Sequence, residues 1–97
     1  MNTSTIIKVN HYLNLVSELN YSSLPSIKNV AFVKDEMVFE LSDGRVIYVR
    51  TKWSKKLAKA TSKQRKNFKT NGTHVFWDEI DEIIGVKNTL FGKQLFL

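Results

Sequence analysis

Between residues 3 and 20 apolar side chains recur every three or four positions. Ile6, Val9, Leu13 and Val16 form a stripe, with Tyr12 and Leu19 beside it, and that period predicts an amphipathic helix. Thr3, Ser4 and Thr5 are candidate N-caps. The opposite face (Asn10, His11, Asn14, Ser17, Glu18) is polar and nearly uncharged. A helix lying on a membrane surface would carry Lys and Arg there, so this one is expected to pack on its own chain or on a protein partner. Tyr21 to Ser26 reads Y-S-S-L-P-S, turn chemistry in which Pro25 stops the helix.

The period then changes to two. Ile27–Val33 predicts a first strand, and Lys34-Asp35-Glu36 turns the chain. Met37, Phe39 and Leu41 alternate with Val38 and Glu40, which gives one apolar face. Asp43-Gly44 follows, a hairpin signal of the type I′ kind, in which both central residues take positive φ. Val46–Lys52 is expected to return antiparallel. Residues 54–69 switch to helical texture: Ser54 is placed to cap a short helix through Ala60. Thr61-Ser62-Lys63-Gln64 then has the form of a capping box. The expectation is two short helices with a corner at Thr61, or one bent helix. Asn71-Gly72 is a turn, Thr73–Trp77 a fourth strand, and Asp78–Ile84 a short helix or extended segment. Residues 86–91 add a helical turn ended by Gly92. Leu95, Phe96 and Leu97 form an apolar tail expected to be buried, since an exposed cluster of that kind is costly.

These elements predict an α+β fold in a single domain, 1–97. Residues 1–26 are the N-terminal helix and linker, 27–92 the core, and 93–97 the tail. The core is a small antiparallel β-meander of three to four strands, with the helical segment inserted between strands. The chain has 97 residues, 42% hydrophobic and 25% charged, an ordinary balance for a globular chain. Cysteine is absent, which excludes disulfides, Cys-type zinc sites and thiol nucleophiles. The longest runs of large apolar residues, such as Val30-Ala31-Phe32-Val33, are far shorter than the roughly 20 residues of a membrane helix. No signal-peptide pattern opens the chain. A cytoplasmic protein is the expectation.

Charge changes the picture most. The chain holds 15 Lys and Arg against 9 Asp and Glu, a formal charge of +6. Ten of the 15 bases lie between Arg45 and Lys69: Arg45, Arg50, Lys52, Lys55, Lys56, Lys59, Lys63, Arg65, Lys66 and Lys69. That stretch contains no acid, whereas four of the 9 acids lie in Asp78–Glu82. Clustered like charges repel, and a polyanion relieves the repulsion while releasing its own counterions. Arg50 through Lys69 therefore reads as a candidate nucleic-acid-binding surface, with Trp53 as a stacking or packing group and Phe68 at its other end. Three other readings stand beside it. The lysines meet an acidic protein partner, they are plain solvated helix faces, or they pair with Asp78–Glu82 inside the fold or across a dimer. No zinc knuckle, Gly-x-x-Gly clamp or aromatic RNP pattern is present, so sequence-specific readout is not expected.

Candidate catalytic chemistry is thin. His11 and His74 are the two histidines. His74 precedes Asp78, Glu79, Asp81 and Glu82, a set that could hold a metal or move protons, but no His-Glu-x-x-His spacing exists. Asp43-Gly44-Arg45 is explained as a tight turn. The four glycines are scattered at 44, 72, 85 and 92 and form no phosphate-cradling loop. Neither an enzyme nor a cofactor or metal site is expected.

From about Ile27 to Gly92 the residues carry a recurring pattern. Phe39, Leu41, Asp43, Gly44 and Arg45 come first. Leu57, Ala60, Thr61, Gln64, Arg65, Asn67 and Phe68 follow, then Gly72, His74 and Trp77, then Ile80, Asp81, Glu82, Leu90 and Phe91. In this the chain resembles a small prokaryotic family, domain of unknown function 2442. Arg50 and Asp78 stand where the family has proline, Ile83 stands where it has an acid, and the predicted helix at residues 3–20 is an addition. The resemblance implies a compact α+β domain, often stand-alone or joined to a helix-turn-helix, sometimes encoded in a toxin–antitoxin-like arrangement. It implies no catalytic residues.

Three functions follow as expectations. The first is a non-enzymatic regulator that binds RNA, DNA or a nucleic-acid–protein complex through Arg50, Lys52, Trp53, Lys55, Lys56, Lys59, Lys63, Arg65, Lys66 and Lys69. The second is a protein-directed inhibitor of a nuclease, antitoxin-like or anti-CRISPR-like, whose partner-binding residues would be Tyr12, Leu19 and Phe96. The third and last is a hydrolase using His74 and a carboxylate. Oligomeric state is left open.

Overall fold

The computed structural model describes residues 20–92. The N-terminal helix predicted at 3–20 and the apolar tail at 93–97 therefore fall outside the described residues, apart from Asn20. Asn20 caps a 3-10 turn at Tyr21–Ser23, its side chain accepting from the Ser22 N–H.

The meander is present. Strands β1 (Ile27–Val33), β2 (Glu36–Leu41) and β3 (Val46–Arg50) form an antiparallel sheet in that order. Strict alternation in β2 puts Met37, Phe39 and Leu41 in the core. β1 buries Ile27 and Val30, three positions apart, which one alternating strand cannot do. A register shift between Ile27 and Asn29 supplies the extra residue, and a bulge of that kind resets which face the following side chains take.

The β2–β3 hairpin differs from the type I′ expectation. Gly44 takes φ +93 while Asp43 stays at negative φ. The Gly44 N–H donates to Leu41 O at 3.1 Å, and Leu41 N–H donates to Arg45 O at 2.9 Å. The loop is thus three residues, Ser42-Asp43-Gly44, with the glycine alone in the left-handed region. Asp43 instead works through its carboxylate, which accepts from Arg45 N–H at 3.0 Å and Arg45 Nε at 2.7 Å. Those bonds, the backbone one foremost, lower its pKa.

After β3 a 3-10 turn (Thr51–Trp53) leads into helix α1 (Lys55–Lys59) and, past a corner at Ala60-Thr61, helix α2 (Ser62–Lys66). The fourth predicted strand forms, but in a second antiparallel sheet rather than in the meander. Its order is β4 (Lys69–Thr70), β5 (His74–Trp77), β6 (Glu82–Gly85). The acidic segment is both things expected of it: a 3-10 turn at Asp78–Ile80, then, through Asp81 at φ 54, strand β6. Helix α3 (Val86–Phe91) closes the described chain, with Gly92 at φ 112 as its C-cap.

The inner faces of the two sheets meet. Ile27, Val30, Met37, Phe39 and Leu41 come from the first, and Val75, Trp77 and Ile84 from the second. Leu57 of α1 and Val86 of α3 complete the buried cluster. The indole N–H of fully buried Trp77 donates to Arg65 O at 3.0 Å, so its polar atom is satisfied as buried indoles require. The sheets are stitched at one edge by Ile27 N–H to Gly72 O, 2.7 Å.

Candidate functional site

The basic stretch is folded into a fixed corner. Ser54 starts α1, its Oγ accepting from Leu57 N–H at 3.1 Å and donating to Glu82 Oε2 at 2.5 Å. Glu82 is thereby committed to holding α1 on β6. At the second helix the capping box predicted at Thr61 and Gln64 is formed: Gln64 N–H to Thr61 Oγ1 is 3.1 Å, and Thr61 N–H to Gln64 Oε1 is 2.9 Å.

Arg65 ties the two helices together. Its Nε donates to Leu57 O at 2.9 Å and its Nη2 to Ala58 O at 3.2 Å, both carbonyls of α1. Its guanidinium also lies 5.3 Å over the Phe32 ring, a cation–π arrangement. With Trp77 bonded to its carbonyl, Arg65 touches α1, β1 and β5 at once. Two more rings flank that indole, Phe32 at 6.4 Å and Phe68 at 6.0 Å between centroids.

The lysines are left on the outside. Lys55 and Lys59 sit two residues before and after buried Leu57, so they project from the opposite side of α1. Lys63 and Lys66, three apart, share a face of α2. All four are exposed, as is Lys52. Many of these charges lie in the last turn of a helix, where the carbonyl ends favour cations.

The acids of Asp78–Glu82 engage two of the bases. Lys56 Nζ is 2.6 Å from Asp81 O and 3.7 Å from Asp81 Oδ2; Lys69 Nζ is 3.7 Å from Asp78 Oδ2. Arg50 pairs instead with Asp35 at 3.1 Å. Each pair is exposed, the kind that contributes about 0–1 kcal/mol, and a phosphate can displace it. Lys52, Lys55, Lys59, Lys63 and Lys66 make no ion pair among the described residues. Trp53 packs half-buried against the core. Tyr12, Leu19 and Phe96 lie outside the described residues.

A groove of about 550 Å³ borders this corner. One wall is β1 from Val30 to Phe32, and the other is Ser62, Arg65, Lys66 and Phe68, with Lys34 at the rim. Lys34 and Phe32 were not among the candidates read from the sequence. They lie some thirty residues before α2, and neither stands in a local pattern that marks a site.

His74 sits elsewhere, on β5. Its Nδ1 is 2.9 Å from Thr73 Oγ1 and its Nε2 is 3.4 Å from Tyr21 OH. Burial and then the nearby Lys87 charge lower its pKa. Its neighbours are thus a hydroxyl, a phenol and a cation rather than the carboxylates that follow it in sequence. Among the described residues no three His, Asp or Glu side chains gather to hold a metal, and no helix is long and apolar enough to cross a membrane.

The family model described as Protein of unknown function (DUF2442) matches residues 27–93. The chain belongs to this family. Among solved structures, a protein of unknown function from Rhodospirillum rubrum is similar at a TM-score of 0.61 and 14% identity. The match covers 76% of this chain and 98% of that one. It shows a shared fold. Among curated proteins no relative matches.

The residues that carry the family resemblance have structural work here. Phe39, Leu41, Leu57 and Trp77 are core. Asp43 and Gly44 make the turn, Thr61 and Gln64 cap α2, Arg65 clamps the corner, and Glu82 holds Ser54. Lys59, Lys63 and Lys66 fall at the spacer positions between those motif residues.

Proposed function

We propose that this DUF2442 protein is a non-enzymatic, cytoplasmic nucleic-acid-binding protein. It engages phosphates of RNA or DNA, free or within a nucleoprotein, through the lysine face of α1 and α2. The observation that carries this reading is the set Lys52, Lys55, Lys59, Lys63 and Lys66. All are exposed, and none is in an ion pair among the described residues. They are mounted on a corner held by Ser54, the capping box and Arg65. Five uncompensated ammonium groups in fifteen residues raise the local potential and attract a polyanion. Lysine is a point charge with no fixed fork, so the contact is to the backbone and carries no base readout.

Arg65 has a different role from the lysines: its guanidinium is already bonded to Leu57 and Ala58 carbonyls, so it positions the surface. Lys56 and Lys69 are paired with Asp81 and Asp78 and lie outside this set of five.

The test is a charge reversal that leaves every fold contact described above in place. Lys55→Glu, Lys59→Glu and Lys63→Glu together are expected to abolish retardation of labelled RNA and DNA at ~50 mM salt, with a cooperative thermal melt that is lowered only by the loss of cations from the helix C-terminal turns. Undiminished binding by a folded triple variant would refute the assignment.

A further inference from the structure

We propose that the groove between β1 and α2 is a subsite for one unstacked nucleotide, so that the protein prefers single-stranded nucleic acid to duplex. The proposal rests on the nucleic-acid reading above and adds the form of the ligand.

The groove is contiguous with the lysine face. Lys66 belongs to both, and Ser62 on its wall adjoins Lys63. Its side chains include three cations, Lys34, Arg65 and Lys66, and no acid. The charge therefore complements a phosphate, and an acid-free wall repels none. Its volume, about 550 Å³, lies within the range of about 300–1,000 Å³ typical of small-ligand sites, enough for a nucleotide and too small for a base pair with both backbones.

The rest of the lining suits a base. Phe68 is an aromatic surface of the kind on which unpaired bases stack, while Arg65, held by the Leu57 and Ala58 carbonyls, fixes the wall beside it. Opposite them, β1 is the edge of its sheet. Beyond the Ile27–Gly72 bond no backbone hydrogen bond reaches its outer edge among the described residues. An edge strand presents unpaired N–H and C=O groups, and these can meet the polar rim of a base of any identity. A base inside a duplex is stacked and paired, and cannot enter without being extruded. The lysine face alone would treat the two forms of nucleic acid by charge density. The groove adds a term that only a free strand can collect.

The experiment measures fluorescence anisotropy of labelled oligo(dT) and oligo(rU) of about 12 nucleotides and of a duplex of the same length at ~50 mM salt. Two variants are compared with the parent. Ser62→Trp fills the groove from an exposed position. Lys34→Asn removes a rim charge and keeps a residue that tolerates the left-handed backbone found there (φ 54). The parent is expected to bind single strands about fivefold or more tighter than duplex. Both variants should lose that margin while duplex affinity holds within about twofold. Melting curves confirm that both variants fold.

Equal affinity for single strands and duplex, with both variants silent, would overturn the groove proposal and leave the lysine face standing. No binding of any of the three probes by the parent would overturn both. A Glu-rich peptide that shifts the amide resonances of Ser62 and Phe68, where oligo(dT) does not, would overturn the groove proposal in favour of strand addition by an acidic chain.

Discussion

Replacing Arg65 separates a positioning role from a ligand contact. In Arg65→Ala the bond to Leu57 O is lost from a half-buried site and the bond to Ala58 O from an exposed one. A hydrogen bond from a charged donor contributes about 1.5–3 kcal/mol when well buried and less when wet. The two together are therefore taken as about 1.5–2 kcal/mol. Loss of the cation–π contact on Phe32 adds about 0.5–1 kcal/mol. Leu57 O keeps a second donor, Ala60 N–H at 3.2 Å, so no carbonyl is orphaned there and no further penalty applies. The expected destabilisation is about 2–3 kcal/mol, or roughly 10–20 °C in Tm for a domain this size. Arg65→Lys should recover less than half, because an ammonium cannot span both carbonyls as the planar fork does. Urea melts followed by tryptophan fluorescence are a suitable assay, since Trp77 is bonded to the backbone of residue 65 itself. A variant within about 0.5 kcal/mol of the parent that nevertheless lost nucleic-acid binding would refute the argument. Arg65 would then be a phosphate ligand.

Two further outcomes follow from the polar edge of the second sheet. His74 has a lowered pKa, so the folded protein binds fewer protons there than the unfolded chain. Stability from this group is full above the ordinary value of 6.5 and is lost as pH falls from that value through the lowered folded pKa. Urea melts across that interval should show the parent weakening more than His74→Asn, and identical pH profiles would contradict it. Gly85→Ala should cost about 1–3 kcal/mol, because a Cβ there would lie 2.9 Å from the His74 ring, which Thr73 and Tyr21 hold. A melt unchanged from the parent would show that the ring is free to move.

The parts of the fold that are written locally were legible in the sequence. β2 has strict alternation, α2 has its capping box at Thr61 and Gln64, and Gly92 ends α3 as expected. The second sheet was legible only in part: β5 was expected as a strand, but not that it pairs with β4 and β6 in a sheet of its own. β4 is two residues long, and β6 is Glu-Ile-Ile-Gly; neither is long enough to show a period, and both exist because β5 pairs with them. The hairpin loop misled for a related reason: Asp43 earns its place through a side-chain bond to Arg45, which a dipeptide rule for backbone φ does not see. The site divides the same way. The lysines follow from spacing around Leu57. The corner that carries them depends on Arg65 reaching Phe32, 33 residues earlier, and charge counting alone groups Arg65 with the lysines it positions. The groove joins β1 to α2 and has no signature within either.

Lys52, Lys55, Lys59, Lys63 and Lys66 acting together on phosphates would set the slope of log K against log salt, measured for the parent and for Lys55→Gln, Lys59→Gln, Lys63→Gln combined. With five contacts the parent should give about −3.5 on single strands and about −4.5 on duplex, and the triple variant about −1.4 and about −1.8. A parent slope near zero, or a slope that the three substitutions leave unchanged, would contradict that joint action.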